Sequence, residues 1–269
     1  MIKKHFSESR TYEEAVAIHR QRVKDAIEYF DKYKDTGEFF VRECPFCGYD
    51  AYEEMEKFYG RYGVARCKRC NSLYVNPCPS QVVLNDYYAH AKCNDMLEKV
   101  YMERDRKEKN EILDSRVAFL ADFINKVCKP EVSLLELGCS NGSFLRKVKR
   151  YLEHSSVKKK VRLVGVDTNP QAISSNQDAS LELHYGTAED FLTNYEGAFD
   201  IIWHTELIEH VISPYNLFVL SSSKLYGGGM LFLQPPMNMP LSQEVFPTMY
   251  RECWLVAYYR PCTSTPLTH

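Results

Sequence analysis

The sequence predicts an α/β fold built on a parallel sheet, preceded by a helical segment and a small cysteine-rich module. Three observations carry this expectation. Short apolar runs alternate with helical stretches from residue 131 onward, a glycine-bracketed turn follows the first of those runs, and two Cys-x-x-Cys pairs sit upstream of it. Alternation of that kind places strands side by side with helices crossing over their faces.

The first run, Val132 to Leu137, is apolar at most positions, which suits a strand covered on both faces. Gly138 and Gly142 bracket the turn after it, and Ser143 to Tyr151 reads as a helix with Phe144, Leu145 and Val148 facing inward. A ligand at this strand end is expected to meet free backbone N–H groups. Val161 to Val166 is a second strand with Asp167 at its C-terminal end, where a carboxylate can accept both hydroxyls of a ribose. Asn169 is an expected N-cap with Pro170 in the first helical position. Leu181 to Tyr185, Phe199 to Trp203 and Met230 to Leu233 supply the third, fourth and fifth strands.

The glycine positions separate two classes of cofactor. The dinucleotide pattern G-x-G-x-x-G needs glycine at 138, 140 and 143, and the chain has Gly138, Ser140 and Ser143. The S-adenosylmethionine pattern, acidic-x-Gly-x-Gly-x-Gly, meets Glu136, Gly138, Ser140 and Gly142, three matches of four.

On Glu136 to Gly142, Val164-Gly165-Val166-Asp167, Gly186-Thr187-Ala188-Glu189-Asp190 and Phe199 to Val211, residues 131 to about 236 resemble the class I S-adenosylmethionine-dependent methyltransferases. The resemblance implies a Rossmann-like methyltransferase sheet. It implies that Glu136, Gly138, Ser140 and Gly142, with Cys139 and Asn141 between them, shape the methionine pocket. It also implies that Asp167, followed by Thr168, holds the ribose and that Ala188 and Glu189 lie near the adenine. His204 and Thr205, just after the fourth strand, would sit near the methionine moiety and the substrate entry. Ser140 departs from the commonest pattern.

The second signal lies upstream. Cys44-Pro45-Phe46-Cys47-Gly48 and Cys67-Lys68-Arg69-Cys70-Asn71 are two knuckles with nineteen residues between them, a loop length that suits a tetrahedral Cys₄ zinc ribbon. Gly48 and Asn71 tolerate the turn past each second thiol. A Cys₄ site has no open position, so a structural Zn²⁺ on Cys44, Cys47, Cys67 and Cys70 is expected. With the segment after the knuckles, Leu73 to Ser80 and then Leu84 to Tyr88, the chain is similar to bacterial methyltransferases that carry an N-terminal zinc-binding module, among them sugar C-methyltransferases acting on nucleotide-linked deoxysugars. Those enzymes use the module to cover the cofactor cleft, and Tyr87, Tyr88 and His90 are candidates for such a lid; equally, the tyrosine pair packs between domains.

Residues 1 to 38 read as an N-terminal helical segment, 39 to 80 as the zinc ribbon, 81 to 130 as a helical connector and lid, and 131 to 269 as the catalytic domain. The resemblance implies two more strands after the fifth, the last of them antiparallel, and thirty-three residues follow Pro235-Pro236; either Val245 to Tyr259 supplies a reduced sheet edge or the domain is a shortened one, and Pro261 to Pro266 reads as a tail.

Methyl transfer needs a base when the acceptor holds its proton tightly. His204 and His210 are the first candidates, with Glu206 behind them. Glu206, Glu209 and His210 also fall within one helical turn, a spacing that can bind a divalent cation or simply serve the cofactor cleft.

A formal net charge of −2 argues against nucleic acid as a partner. The charged N-terminus has no apolar signal core, and no apolar run approaches the roughly 18 residues of a membrane helix. The expectation is a cytoplasmic enzyme acting on a small biosynthetic intermediate, nucleotide-linked sugars included. An RNA methyltransferase reading through its zinc ribbon, or a non-catalytic partner, are the alternatives.

Overall fold

The computed structural model describes residues 12–106, 111–234 and 256–259. They belong to two compact units, Met1–Asp114 with Thr168–Ala172, and Ser115–Asp167 with Ile173–His269.

The first unit opens with helix α1 (Tyr12–Tyr33). Its Asp25 is 2% exposed because it works as a cap: Oδ2 accepts the Cys93 amide at 2.7 Å, at the start of helix α3 (Lys92–Arg106). Strands β1 (Phe39–Phe40) and β5 (Cys78–Pro79) form an antiparallel pair, and β2 (Tyr52–Glu54), β3 (Val64–Cys67) and β4 (Leu73–Val75) form a separate three-stranded antiparallel sheet. Gly63 has to be glycine, since a Cβ there would lie 2.2 Å from the Asn76 carbonyl oxygen. Helix α2 (Gln81–His90) carries Tyr87, which meets Tyr29 of α1 edge to face at 5.3 Å and reaches Cys93 Sγ at 3.3 Å. Tyr87 therefore packs within the N-terminal unit. Helix α3 and helix α4 (Glu111–Lys126) fall within the stretch expected as a helical connector, residues 81 to 130.

The second unit holds a six-stranded sheet in the order β11-β10-β9-β6-β7-β8. Its strands are β6 (Glu131–Leu137), β7 (Lys160–Asp167), β8 (Leu181–Tyr185), β9 (Phe199–Thr205), β10 (Leu225–Gln234) and β11 (Val256–Tyr259). All pairs are parallel except β10 with β11. β11 provides an antiparallel edge within the stretch Val245 to Tyr259; the rest of that stretch and the expected tail lie outside the described residues. Crossovers come from α5 (Ser143–His154), α6 (Pro170–Ser174), α7 (Ala188–Asn194) and α8 (Pro214–Ser223). Asn169 Oδ1 accepts the Gln171 and Ala172 amides at 3.0 and 3.1 Å, the cap expected before Pro170.

Both faces of the central strands are covered, as their near-continuous apolar runs require. One layer contains Leu135, Leu137, Val164, Val166, Leu192, Phe199 and Ile202. An aromatic column also runs through the unit: Phe144 stacks on Trp203 at 5.0 Å, Trp203 on Phe232 at 4.9 Å, and Phe119 of α4 meets Phe232 edge-on at 5.0 Å. Burying rings of that size stabilises the unit by about 2 to 3 kcal/mol each. At the opposite end from the glycine turn, Asp200 accepts from Ser133 N and Ser133 Oγ, both at 2.9 Å, and from Lys129 Nζ at 2.5 Å.

Candidate functional site

Strand β6 pairs with β7 on one side and with β9 on the other, so the direction of winding reverses at its C-terminal end. Ligands of open α/β sheets bind at such a switch point. The turn Gly138–Gly142 lies there, with φ values of +74° at Gly138, +49° at Ser140 and +80° at Gly142. Three left-handed residues at alternate positions explain why glycine is used at two of them and the small Ser140 at the third.

Four amides of the turn are not among the free N–H groups expected at this strand end. Gly138 N and Cys139 N both donate to Val166 O, at 2.9 and 3.1 Å. Ser140 N donates to Asp167 Oδ2 at 2.8 Å and Gly142 N to Cys139 O at 2.9 Å. Those donors close the turn onto the end of β7, and a phosphate would have to displace them. What the strand ends offer instead are two carboxylates, Glu136 (5% exposed) beside Gly165 and Trp203 in register, and Asp167. The charges of both reach the Cys139 thiol, which burial first of all holds well above its ordinary pKa. Gly165 keeps that thiol in place, because a Cβ on it would lie 2.6 Å from Cys139 Sγ. Asn141 is buried, and its carbonyl accepts from Arg146 Nη1 at 2.6 Å.

Ala188 and Glu189 open α7, whose cap Thr187 accepts the Asp190 amide at 3.0 Å. Glu189 is half-buried, and burial together with the Asp190 charge pushes its carboxyl up. Thr168 follows Asp167 in the chain and belongs to the Thr168–Ala172 segment of the first unit.

His204 and Thr205 lie inside β9 rather than after it. Pairing with β10 continues to Leu233↔His204 and Gln234↔Thr205, which extends the strand beyond Trp203. His204 is 2% exposed, its Nδ1 has no hydrogen-bond partner among the described residues, and burial pushes its pKa down to about 4. Glu206 then takes a left-handed φ of +52° with its amide donated to Gln234 O at 2.7 Å. That conformation breaks the expected helical spacing, and Glu206 to His210 form a turn closed by His210 N donating to Leu207 O at 2.8 Å. Glu206 and His210 are exposed, whereas the Glu209 side chain is only 17% exposed. Burial, with the Glu206 charge adding to it, pushes the Glu209 carboxyl up to about 7. Leu207 returns to the glycine turn, its Cδ1 at 3.4 Å from where a Gly138 Cβ would stand.

Arg146 is a contribution that sequence reasoning missed, and for Glu209, already singled out, it did not show the burial. Arg146 did leave a signal: a cation in the first turn of a helix, where the dipole favours acids.

In the first unit, the Sγ atoms of Cys44, Cys47, Cys67 and Cys70 all lie within 4.8 Å of one another, with Cys44 to Cys70 at 3.5 Å and Cys47 to Cys67 at 3.6 Å. Tetrahedral zinc with thiolates at 2.3 Å sets its sulfurs about 3.8 Å apart, so the cage fits that ion. The two knuckles are alike. Gly48 N and Asn71 N donate to Cys44 O and Cys67 O, and both residues are left-handed, at φ +67° and +60°. Among the described residues this is the group of His, Cys, Asp and Glu ligands that converges; Glu206, Glu209 and His210 do not.

A doubly wound sheet with two carboxylates and a glycine turn at its switch point is an open α/β architecture of the kind that takes its ligand at that point. The family model for a methyltransferase domain matches residues 102–260, and the chain belongs to that family. A ubiquinone biosynthesis O-methyltransferase of Aromatoleum aromaticum (strain DSM 19018 / LMG 30748 / EbN1) is 24% identical over 105 residues, 37% of this chain and 42% of that protein. Among solved structures, the chain is similar to CalS10, an amino pentose methyltransferase from Micromonospora echinaspora, at 21% identity and a TM-score of 0.39 over 52% of this chain and 56% of that one. It is also similar to the plantazolicin methyltransferase BamL, at 20% identity and a TM-score of 0.43 over 62% and 65%. The chain thus spans less than two thirds of the length of each of these relatives. Among the described residues no helix is long and apolar enough to cross a membrane.

Proposed function

We propose that the chain is an S-adenosylmethionine-dependent methyltransferase whose acceptor is a small biosynthetic intermediate, with nucleotide-linked sugars the first class to test. The observation that carries this reading is the pair of strand-end carboxylates, Glu136 and Asp167, around a turn in which the Gly138, Cys139, Ser140 and Gly142 amides are already used. Carboxylates accept hydroxyl and ammonium donors, which a ribose and an amino acid supply and a pyrophosphate does not. Membership of the methyltransferase-domain family supports the same reading. A small acceptor is supported by the formal net charge of −2 and by the low-molecular-weight pathway named for the curated relative.

The cofactor, when bound, supplies an electrophilic methyl group on a sulfonium. In this scheme Asp167 holds the ribose hydroxyls, Glu136 and the Gly138–Gly142 turn shape the methionine pocket, and Ala188 and Glu189 border the adenine. His204 is kept neutral by its burial and offers Nδ1 as a hydrogen-bonding group rather than a charge. His210 and Glu206, both exposed on the turn after β9, remain candidates to take the acceptor's proton, and Glu209 joins them. The division into residues 1–38, 39–80, 81–130 and 131–269 is retained as part of the proposal, with one structural Zn²⁺ on the four cysteines.

Calorimetric titration with S-adenosylhomocysteine tests the reading. Binding by the wild-type protein that is lost in Asp167→Ala is the expected result; no binding by folded, zinc-loaded wild type would overturn it.

A further inference from the structure

The turn Gly138–Gly142 is anchored from two directions, and only the first of them follows from the sheet. On the strand side, Val166 O and Asp167 Oδ2 collect the Gly138, Cys139 and Ser140 amides. On the helix side the anchor is Arg146. Its backbone amide makes the first helical bond, to Gly142 O at 2.9 Å, and its side chain folds back over the start of its own helix. Nη1 donates to Asn141 O at 2.6 Å and Nη2 to Asn141 Oδ1 at 3.0 Å, so one guanidinium grips the backbone and the side chain of one residue. Nη1 also donates to Asn176 Oδ1 at 3.2 Å, and Asn176 Nδ2 donates to Asp178 O at 3.1 Å. The guanidinium fork therefore ties the turn to the segment that leads into β8.

This placement is electrostatically unfavourable for the helix. A cation within the first turn opposes the helix dipole, and α5 has no acid there to offset it. The Arg146 charge acts at the turn: it is felt at the Cys139 thiol, against the charges of Glu136 and Asp167. A residue that breaks a local rule and spends its donors on a functional turn belongs to the site's support.

We propose that Arg146 is a positioning residue of the donor pocket, which through Asn141 holds the Gly138–Gly142 turn in the shape that receives the adenosyl ligand. The proposal rests on the reading of this pocket as an S-adenosylmethionine site. Asn141 is buried and flanked by two left-handed residues, Ser140 and Gly142, so its release frees both dihedral pairs at once.

Two readouts on the full chain decide the matter. Hydrogen exchange without ligand reads the clamp directly. In Arg146→Ala the amides of Gly138, Cys139, Ser140 and Gly142 should exchange at least about tenfold faster, while those of β9 and β10 keep their wild-type rates. Titration with S-adenosylhomocysteine reads its consequence. Arg146→Ala should weaken binding about tenfold, the effect of losing one charge-assisted hydrogen bond. Asn141→Ala should weaken it less, and the double variant should be no weaker than Arg146→Ala alone. Arg146→Lys, whose ammonium satisfies one acceptor where the fork satisfies two, should fall between Arg146→Ala and wild type, and it serves if the alanine variant does not fold. Unchanged turn exchange in either Arg146 variant, or effects of Arg146→Ala and Asn141→Ala that simply add, would overturn the proposal. Faster turn exchange in a protein whose wild type binds no S-adenosylhomocysteine would uphold the clamp and refute the donor instead.

Discussion

The Asp167 carboxylate accepts the Ser140 amide at 2.8 Å, so the group proposed to hold the ribose also holds the turn above it. The two duties separate by substitution. Asp167→Asn keeps an oxygen for Ser140 N but loses the charge, and its affinity for S-adenosylhomocysteine should fall about tenfold. Asp167→Ala loses both, and a fall of about a hundredfold or more is expected from hydrogen bonds to a charged group worth ~1.5 to 3 kcal/mol each. Calorimetry on both variants measures this, and equal affinity of Asp167→Asn and wild type would show that the charge is not used.

Gly165 is fixed by close packing rather than by an unusual backbone. A Cβ on it would stand 2.6 Å from Cys139 Sγ and 2.8 Å from Leu183 Cδ2, in the middle of β7 where neither neighbour can retreat freely. Gly165→Ala should cost about 1 to 3 kcal/mol by overpacking. Denaturant unfolding followed by tryptophan fluorescence would report it, and a wild-type midpoint would mean that Cys139 can turn away.

The cysteine cage predicts one zinc per chain by metal analysis. Free energies of structural zinc binding are on the order of 10 kcal/mol and are coupled to folding. Chelation, or Cys47→Ser, should therefore remove exchange protection from β2, β3 and β4 and leave that of β6 and β7 in place. Protected β3 amides in a protein free of zinc would show that the ribbon stands on its apolar contacts alone, such as those of Ala65 and Tyr74.

The parts of this molecule that were legible in the sequence are those where one local rule acts alone. Leu181 to Tyr185 was bounded by turn residues and appears unchanged as β8. Asn169-Pro170 carries its cap and its helix start in two residues, and Gly48 and Asn71 mark the two cysteine turns. Where rules compete, the tertiary partner decided. His204 is polar and close to a strand end, yet β10 runs far enough beside it to keep it in the sheet and out of water. Glu206, Glu209 and His210 have helical spacing, but the left-handed Glu206 turns the spacing into a bend and buries Glu209. The closed amides of Gly138 to Gly142 depend on Val166 and Asp167, residues of a neighbouring strand that no local pattern connects to the turn.

The burial of His204 makes a prediction about acid. In the folded chain its pKa is pushed down from an ordinary 6.5 to about 4, so folding favours the neutral ring. The stabilisation this represents is fully present above pH 6.5 and is lost as pH falls toward 4, where the unfolded chain binds a proton that the folded one refuses. At 1.36 kcal/mol per unit the loss is at most about 3 kcal/mol. His204→Gln has no proton to bind. Its stability should fall less steeply between pH 7 and pH 4, and the gap between wild type and variant should narrow by up to that amount. Denaturant unfolding at a series of pH values measures the gap. Parallel curves would mean that the ring is hydrated or charged in the folded chain, and that His204 could serve as a proton acceptor near neutral pH. A narrowing gap would leave the proton to the turn after β9, because a ring that resists protonation until pH 4 has little driving force to take a proton from an acceptor at pH 7.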